Sequence, residues 1–418
     1  MLGFCPASYQ ADFLRCRSKR ILIRWPRQSG KTRAVAAYSV WFSAFHAGAT
    51  TLIIAPSRRQ SMIVSDLVHG YLGAMPGRVR RALVSKAQRT TIYFRNGSRI
   101  VALPNSENLV RGYDAHLIIA DEAAFFRNDE SIIRHVLTPM LATTDGTMVV
   151  SSTPWGKKTV FYQLNMDDDW TKLHATWEDA RREGIYRPEF IKEIEKTRET
   201  FPLAYRMEYE AEFVEEADTW LTQDILAKAC DQELDYIPFE EKARGGFYLG
   251  VDLGERVDHS AVAAVRRGEG GRTDLVHMHL FRLGASLASV IGYVKTLRDR
   301  WSRVHAVYVD NTKHGDYIIQ DLREAGVPEA KGITFTQDTK QEMAQILRQR
   351  ITEGALHIPY DRELLDELNT EQYELTKTGK ITLDHPPGTH DDRFWALALA
   401  TYAAEQTPPP STPIARTA

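Results

Sequence analysis

Short apolar runs alternate with longer stretches of helical periodicity across the first part of the chain. Arg20–Trp25, Thr51–Ala55, Leu117–Ala120 and Thr147–Ser151 are built mainly from Ile, Leu, Val and Ala. Their cores lack regular apolar–polar alternation, which predicts strands buried on both faces, as in a parallel sheet. Thr32–Phe45 and Arg59–Leu72 read as helices. Thr91–Phe94 and Ser98–Leu103 flank Asn96-Gly97, a turn pair whose residues tolerate positive φ, so a hairpin is expected. The alternation predicts an α/β domain over 1–176, a mainly parallel sheet with helices on both faces.

The texture changes over 177–244, which is rich in Glu and Arg and carries few strand signals. It reads as a small helical connector, with Glu208 to Asp218 as a solvated acidic face. A second domain is expected over 245–404. Phe247–Val251, Ser260–Val265 and Leu275–Phe281 read as consecutive strands, Ser286–Trp301 as a helix and Val304–Asp310 as a strand. Residues 405–418 are rich in Pro and Thr and are expected to be disordered.

With 418 residues the chain can bury two cores. No apolar run approaches the roughly 20 residues of a spanning helix. Cys5, Pro6 and Asp12 interrupt any leader pattern at the N-terminus. Cys5, Cys16 and Cys230 form no metal spacing, so a reduced cytoplasmic setting is expected. The formal charge of −2 conceals an imbalance: Met1 to Arg111 holds 18 Lys and Arg against three Asp and Glu, a net +15, which leaves −17 for the rest. A basic segment of this kind points to a polyanion such as nucleic acid; an internal match of basic and acidic faces is the alternative.

Gly30-Lys31-Thr32 lies between a strand and a helix, where a phosphate-binding loop belongs. Gly30 would let the backbone approach the phosphates, Lys31 would reach the β- and γ-phosphates, and the Thr32 hydroxyl would ligate Mg²⁺. Trp25 stands where the motif's first glycine is usual. The apolar strand Leu117–Ala120 ends in Asp121-Glu122, which suits an Mg²⁺-holding carboxylate followed by a base for the attacking water. The hydroxyls of Ser151, Ser152 and Thr153 follow another strand and could sense the γ-phosphate.

In the second part, Asp252 and Asp310 end apolar strands, Asp258 follows in a turn, and His390-Asp391-Asp392 precedes the helix Arg393–Ala404. Carboxylates near a core need pairing or a cation. This set could converge on one or two Mg²⁺ or Mn²⁺ ions. Asp252 and Asp310 would be central, with Asp391 or Asp392 completing the site. Asp392 is favoured, because Asp391 can cap the helix.

Together these residues resemble the large terminase subunit of tailed bacteriophages. The resemblance runs from about Pro6 to Ala404, and its most specific element is Arg27-Gln28-Ser29-Gly30-Lys31-Thr32. It implies that Gln10, within Pro6-x-x-Tyr9-Gln10, reads adenine, that Asp121 to Phe125 form the second ATPase motif, and that Ser152-Thr153-Pro154 couple hydrolysis to movement. It implies Arg111 as an arginine finger acting on a neighbouring subunit. It further implies a ribonuclease H-like nuclease using Asp252, Asp310 and Asp391-Asp392, with Asp258 as an auxiliary ligand. The partners implied are double-stranded DNA, a portal protein, a small terminase subunit and further copies in a ring of five, in the host cytoplasm and transiently on the procapsid. A helicase-type ATPase fused to a repair nuclease is the competing reading.

Overall fold

The computed structural model describes residues 3–200, 202–214, 219–254, 258–375, 381–385 and 389–407. It divides into two compact units, Met1–Ala217 and Asp218–Ala418.

The first unit is organised on an eight-stranded sheet. Its strands are β1 (Arg20–Arg24), β2 (Thr50–Ala55), β3 (Val84–Ala87), β4 (Thr91–Phe94), β5 (Arg99–Pro104), β6 (Leu117–Asp121), β7 (Thr147–Ser152) and β8 (Thr171–His174), in the spatial order β3-β4-β5-β2-β6-β7-β1-β8. From β5 to β8 all neighbours are parallel, while β3 and β4 join antiparallel. Every residue of β2, β6 and β7 is buried, as expected for strands covered on both faces. The Asn96-Gly97 hairpin forms: Gly97 takes φ 84°, and Asn96 Oδ1 accepts from the Ser98 backbone at 3.0 Å. Parallel pairing places Asp121 opposite Ser151, and Arg24 opposite Ser152. The ends of β1, β6 and β7 therefore reach the same edge of the sheet.

The stretch expected as a connector does not stand apart. Trp177, Ala180, Tyr186, Ile194, Tyr205 and Tyr209 belong to the first unit's core. Leu234, Ile237, Phe239 and Ala243 pack on the second unit's core instead. The Glu and Arg content masked these apolar and aromatic positions, which gain by burial wherever a core is near. Glu208, read as part of a solvated face, is buried, and its carbonyl accepts from the Arg27 backbone at 2.8 Å. The end of that acidic run, 215–218, lies outside the described residues.

The second unit carries β9 (Cys230–Asp231), β10 (Gly246–Asp252), β11 (Ala261–Arg267), β12 (Thr273–Leu280), β13 (Val304–Asp310), β14 (Ala330–Ile333) and β15 (Leu356–Pro359), in the order β14-β13-β10-β11-β12-β15-β9. β10, β11 and β12 form an antiparallel meander, and β13 runs parallel to β10 with Val251 opposite Val309. Asp252 and Asp310 thus end adjacent strands at one edge. A two-stranded hairpin, β16 (Gln372–Leu375) and β17 (Ile381–Asp384), precedes the last helix, Asp392–Gln406. That helix continues past Ala404, and the expected disordered tail from 408 onward lies outside the described residues.

Gly250 explains how closely this helix lies on β10. A Cβ there would come within 2.1 Å of the Ala396 carbonyl oxygen, 2.3 Å of the Ala400 nitrogen and 2.8 Å of Leu399 Cβ. Helix backbone cannot yield as a flexible side-chain tip can. Gly250→Ala is therefore expected to destabilise the second unit by about 3 kcal/mol or more. Urea unfolding checks this, and an unchanged midpoint would refute the close packing.

Candidate active sites

The phosphate-loop segment leaves β1 at Trp25 and enters the helix Lys31–Phe45 through Gly30, which is left-handed at φ 84°. Gln28 is left-handed as well, at φ 56°. The missing first glycine has a local explanation. Trp25 is wholly buried beneath the loop, with Tyr9 edge-on at 4.9 Å and Phe13 at 6.2 Å. The sharp turning falls to Gln28 and Gly30 instead. Tyr9 and Gln10 brace the loop by donating to the Ser29 carbonyl at 2.7 and 2.8 Å, while Gln10 Oε1 accepts from the Ala7 backbone at 3.0 Å. Gln10 thus lies against the loop, and a Cβ on Gly30 would meet its amide nitrogen at 2.6 Å. Ser29 Oγ donates to the Pro26 carbonyl at 2.7 Å. Tyr186, which carried no motif, donates to the Arg27 carbonyl at 2.7 Å.

Lys31 is buried and donates to the Trp25 carbonyl at 3.1 Å, and its Nζ lies 3.8 Å from Glu122. The carboxylates at the end of β6 face hydroxyls at the end of β7: Ser151 Oγ donates to Asp121 at 2.7 Å, and Ser152 Oγ to Glu122 at 3.2 Å. Glu122 is held in the left-handed region at φ 53°, a backbone state that a non-glycine residue occupies at a cost of about 1–3 kcal/mol. Burial and the adjacent Glu122 push the Asp121 carboxyl up to about 6, against the Ser151 bond, the Lys31 charge and the Thr32 hydroxyl. Asp121 Oδ2 is buried and has no hydrogen-bond partner among the described residues, the state of an oxygen suited to a cation. Thr153 is buried beside them. Arg111 does not join this cluster: its guanidinium is exposed and paired at 3.0 Å with Glu107, which also accepts from Ser131 at 2.7 Å.

In the second unit Asp252, Asp310 and Asp392 are all buried. Burial, then the charges of Asp392, Asp391 and Asp310, raise the Asp252 carboxyl well above its ordinary range. Burial, then Asp391 and Asp258, push Asp392 up to about 7. These carboxylates therefore feel one another, as a site awaiting positive charge would. Asp392 Oδ2 has no hydrogen-bond partner among the described residues. Asp310 accepts from the Thr312 backbone at 2.9 Å and from its hydroxyl. Asp258 is half-exposed and pairs with Lys313 at 3.3 Å.

Two expectations need correction. Asp391 occupies the N-cap position but makes no side-chain cap bond. Its Oδ2 accepts from Trp395 Nε1 at 2.5 Å, because the indole one turn on offers a buried N–H that needs an acceptor. Further, no three His, Cys, Asp or Glu among the described residues already stand close enough to hold an ion together. The set is therefore not assembled into a ready ion cage. Its all-oxygen chemistry and the unbonded Asp392 Oδ2 still fit a hard divalent cation. Sequence reading also missed Glu371 and Lys340, which sit in polar stretches without a motif. Glu371 is buried with neither carboxylate oxygen hydrogen-bonded among the described residues, and its carboxyl is pushed up to about 8 by burial and Asp391.

Comparison with known proteins places both units. The family model for the terminase large subunit, T4likevirus-type, N-terminal, matches residues 22–228, and that for the terminase RNaseH-like domain matches 249–403. The large terminase subunits of Thermus phage G20c and Thermus virus P23-45 are each 23% identical over 448 residues, covering 96% of this chain and 88% of theirs. Among solved structures, the HK97 bacteriophage large terminase covers 96% of this chain and 95% of its own at 13% identity, with a TM-score of 0.45. The large terminase nuclease of phage G20c covers 44% of this chain and 98% of its own at 22% identity, with a TM-score of 0.38. Among the described residues no helix is long and apolar enough to cross a membrane. Two consecutive family matches spanning most of the sequence, on a chain with two such carboxylate clusters, leave the helicase reading without support, and the chain belongs to the large terminase subunits, the DNA-packaging ATPases and nucleases of tailed bacteriophages.

Proposed function

We propose that the Lys31–Asp121–Glu122 cluster hydrolyses ATP to drive double-stranded DNA into a procapsid, and that the Asp252–Asp310–Asp392 cluster cuts the DNA concatemer. What carries this reading is a buried carboxylate in each unit, Asp121 at the end of a strand and Asp392 at the start of the last helix, each with an oxygen that has no hydrogen-bond partner among the described residues.

In the first site, Lys31 would exchange the loop carbonyls for the β- and γ-phosphates of ATP, cradled by the backbone of Arg27 to Thr32. Asp121 and Thr32 would hold Mg²⁺, while Glu122 orients a water and takes its proton as the terminal phosphoryl bond breaks. Gln10 would serve the adenine side of the site while supporting Ser29. The Ser152 bond to Glu122 gives a path by which loss of the γ-phosphate reaches β7, with Thr153 next in line. In the second site, Asp252, Asp310 and Asp392 would hold Mg²⁺ or Mn²⁺, with Asp391 and Asp258 flanking. Bound there, two such ions supply a hydroxide-like nucleophile and charge for the leaving oxygen. The partners that follow from the family are the portal, a small terminase subunit and further copies in a ring of five, in the host cytoplasm and on the procapsid. ATP turnover and Mn²⁺-dependent plasmid cleavage by one preparation test the two halves, and the lack of either activity overturns that half.

Arg111 is assigned to a neighbour's ATP, since in its own subunit it is exposed and held by Glu107. An arginine finger is worth roughly 10³ to 10⁵ in rate. Arg111→Ala and Glu122→Ala are each expected to be inactive, and mixing them under assembly conditions should restore part of the ATPase activity. Strong turnover by Arg111→Ala alone, or no rescue in verified mixed rings, would count against a role in trans.

A further inference from the structure

A lysine outside every motif sits against the second site. Lys340 belongs to the helix Gln337–Thr352, whose N-cap Thr336 accepts from the Thr339 backbone. It is half-buried, with Nζ 4.3 Å from the centre of the Trp395 ring and 5.6 Å from that of Phe335. The two rings themselves lie 5.2 Å apart. Trp395 therefore works on both sides. Its edge donates to Asp391 at 2.5 Å, and its face carries the ammonium. A cation on an indole face is attracted by the ring's quadrupole, more so when partly desolvated. The neighbouring Gln341 Oε1 accepts from the Ile381 backbone at 3.3 Å, which ties this helix to β17.

We propose that Lys340 is a positioning residue of the nuclease site: the resident cation that faces its carboxylates until divalent ions replace it. The electrostatics agree with the geometry. Lys340 opposes the upward shift of Asp252, and it does the same for Glu371, whose buried carboxylate has no hydrogen-bond partner among the described residues. Without such a charge, Asp252, Asp310, Asp391, Asp392 and Glu371 would repel one another across a poorly hydrated space. A single positive charge on a flexible four-carbon stem can hold that field and still withdraw. It also raises the free energy of bringing further cations to the same carboxylates. Lys340 thus sets the ion concentration at which the nuclease loads.

This rests on the reading of Asp252, Asp310 and Asp392 as ion ligands, so the test includes Asp252→Asn. Mn²⁺ binding to the full chain is followed by electron paramagnetic resonance without DNA or nucleotide, and the nuclease-site component is the part lost in Asp252→Asn. Lys340→Gln, and Lys340→Met, which keeps an aliphatic stem on the indole, are expected to bind Mn²⁺ at this site roughly three- to tenfold more tightly, from removal of one like charge. Lys340→Arg is expected to stay within about twofold of the unsubstituted protein, since the charge is kept. A purely structural lysine would weaken binding when removed, so unchanged or weaker Mn²⁺ affinity in both neutral variants overturns the proposal. If Mn²⁺ binding depends on Asp252 but not on Lys340, this proposal alone fails. If no Asp252-dependent binding exists, the ligand reading fails and takes the proposal with it.

Discussion

Lys31→Ala is expected to lower ATP turnover by roughly 10²- to 10³-fold or more, the loss found when a preorganised charge is taken from a developing anion. The ammonium is buried at the start of its helix, between the Trp25 carbonyl and Glu122, so no exposed lysine can stand in for it. Its removal would also leave Glu122 and Asp121 as uncompensated neighbours and raise the cost of keeping both charged. The second site is assembled from strands of the other unit. Mn²⁺-dependent plasmid cleavage by the same Lys31→Ala protein should therefore remain within about twofold of the unsubstituted chain. Steady-state phosphate release and plasmid nicking, measured side by side, check both halves. Substantial phosphate release by Lys31→Ala would remove the phosphate-binding role, and a parallel loss of cleavage would show that the two activities share one site.

The converse holds for Asp252→Asn, for which plasmid nicking is expected to fall by roughly a thousandfold or more. The substitution keeps the shape and removes the charge that draws a divalent cation, and several kcal/mol of transition-state stabilisation at about 1.4 kcal/mol per tenfold is of that order. Asp252 is buried, and three other carboxylates contribute to raising its own. The amide should be tolerated by the fold, because it relieves that repulsion. Thermal stability without metal should therefore hold steady or rise while cleavage collapses. ATP turnover should stay near that of the unsubstituted chain. Near-normal nicking by both Asp252→Asn and Asp310→Asn would refute the site.

The strand-end carboxylates of both units were legible in the sequence because parallel strands present their last residues at one edge. An apolar run ending in Asp or Glu therefore announces a carboxylate there. Leu117–Asp121 and Val304–Asp310 behave in this way, and Asn96-Gly97 marks its hairpin by backbone chemistry alone. Periodicity and turn residues are local properties, and the sequence states them directly. Other features depend on what lies across the fold. Trp25 can stand where a glycine is usual because Tyr9 and Phe13 pack around its ring, although its buried indole N–H has no hydrogen-bond partner among the described residues, and only packing reveals that. The Glu/Arg-rich stretch after Trp177 looked like an independent connector, yet its aromatic residues are shared between two cores. Support for Asp392 over Asp391 as an ion ligand comes only from tertiary contacts: the Trp395 indole donates to Asp391, while Asp392 Oδ2 has no hydrogen-bond partner among the described residues. Lys340 and Glu371 carry no motif, since a charge acts through space on residues distant in the chain. Only the tertiary structure decides which charges become neighbours, because burial removes the water that would otherwise screen them.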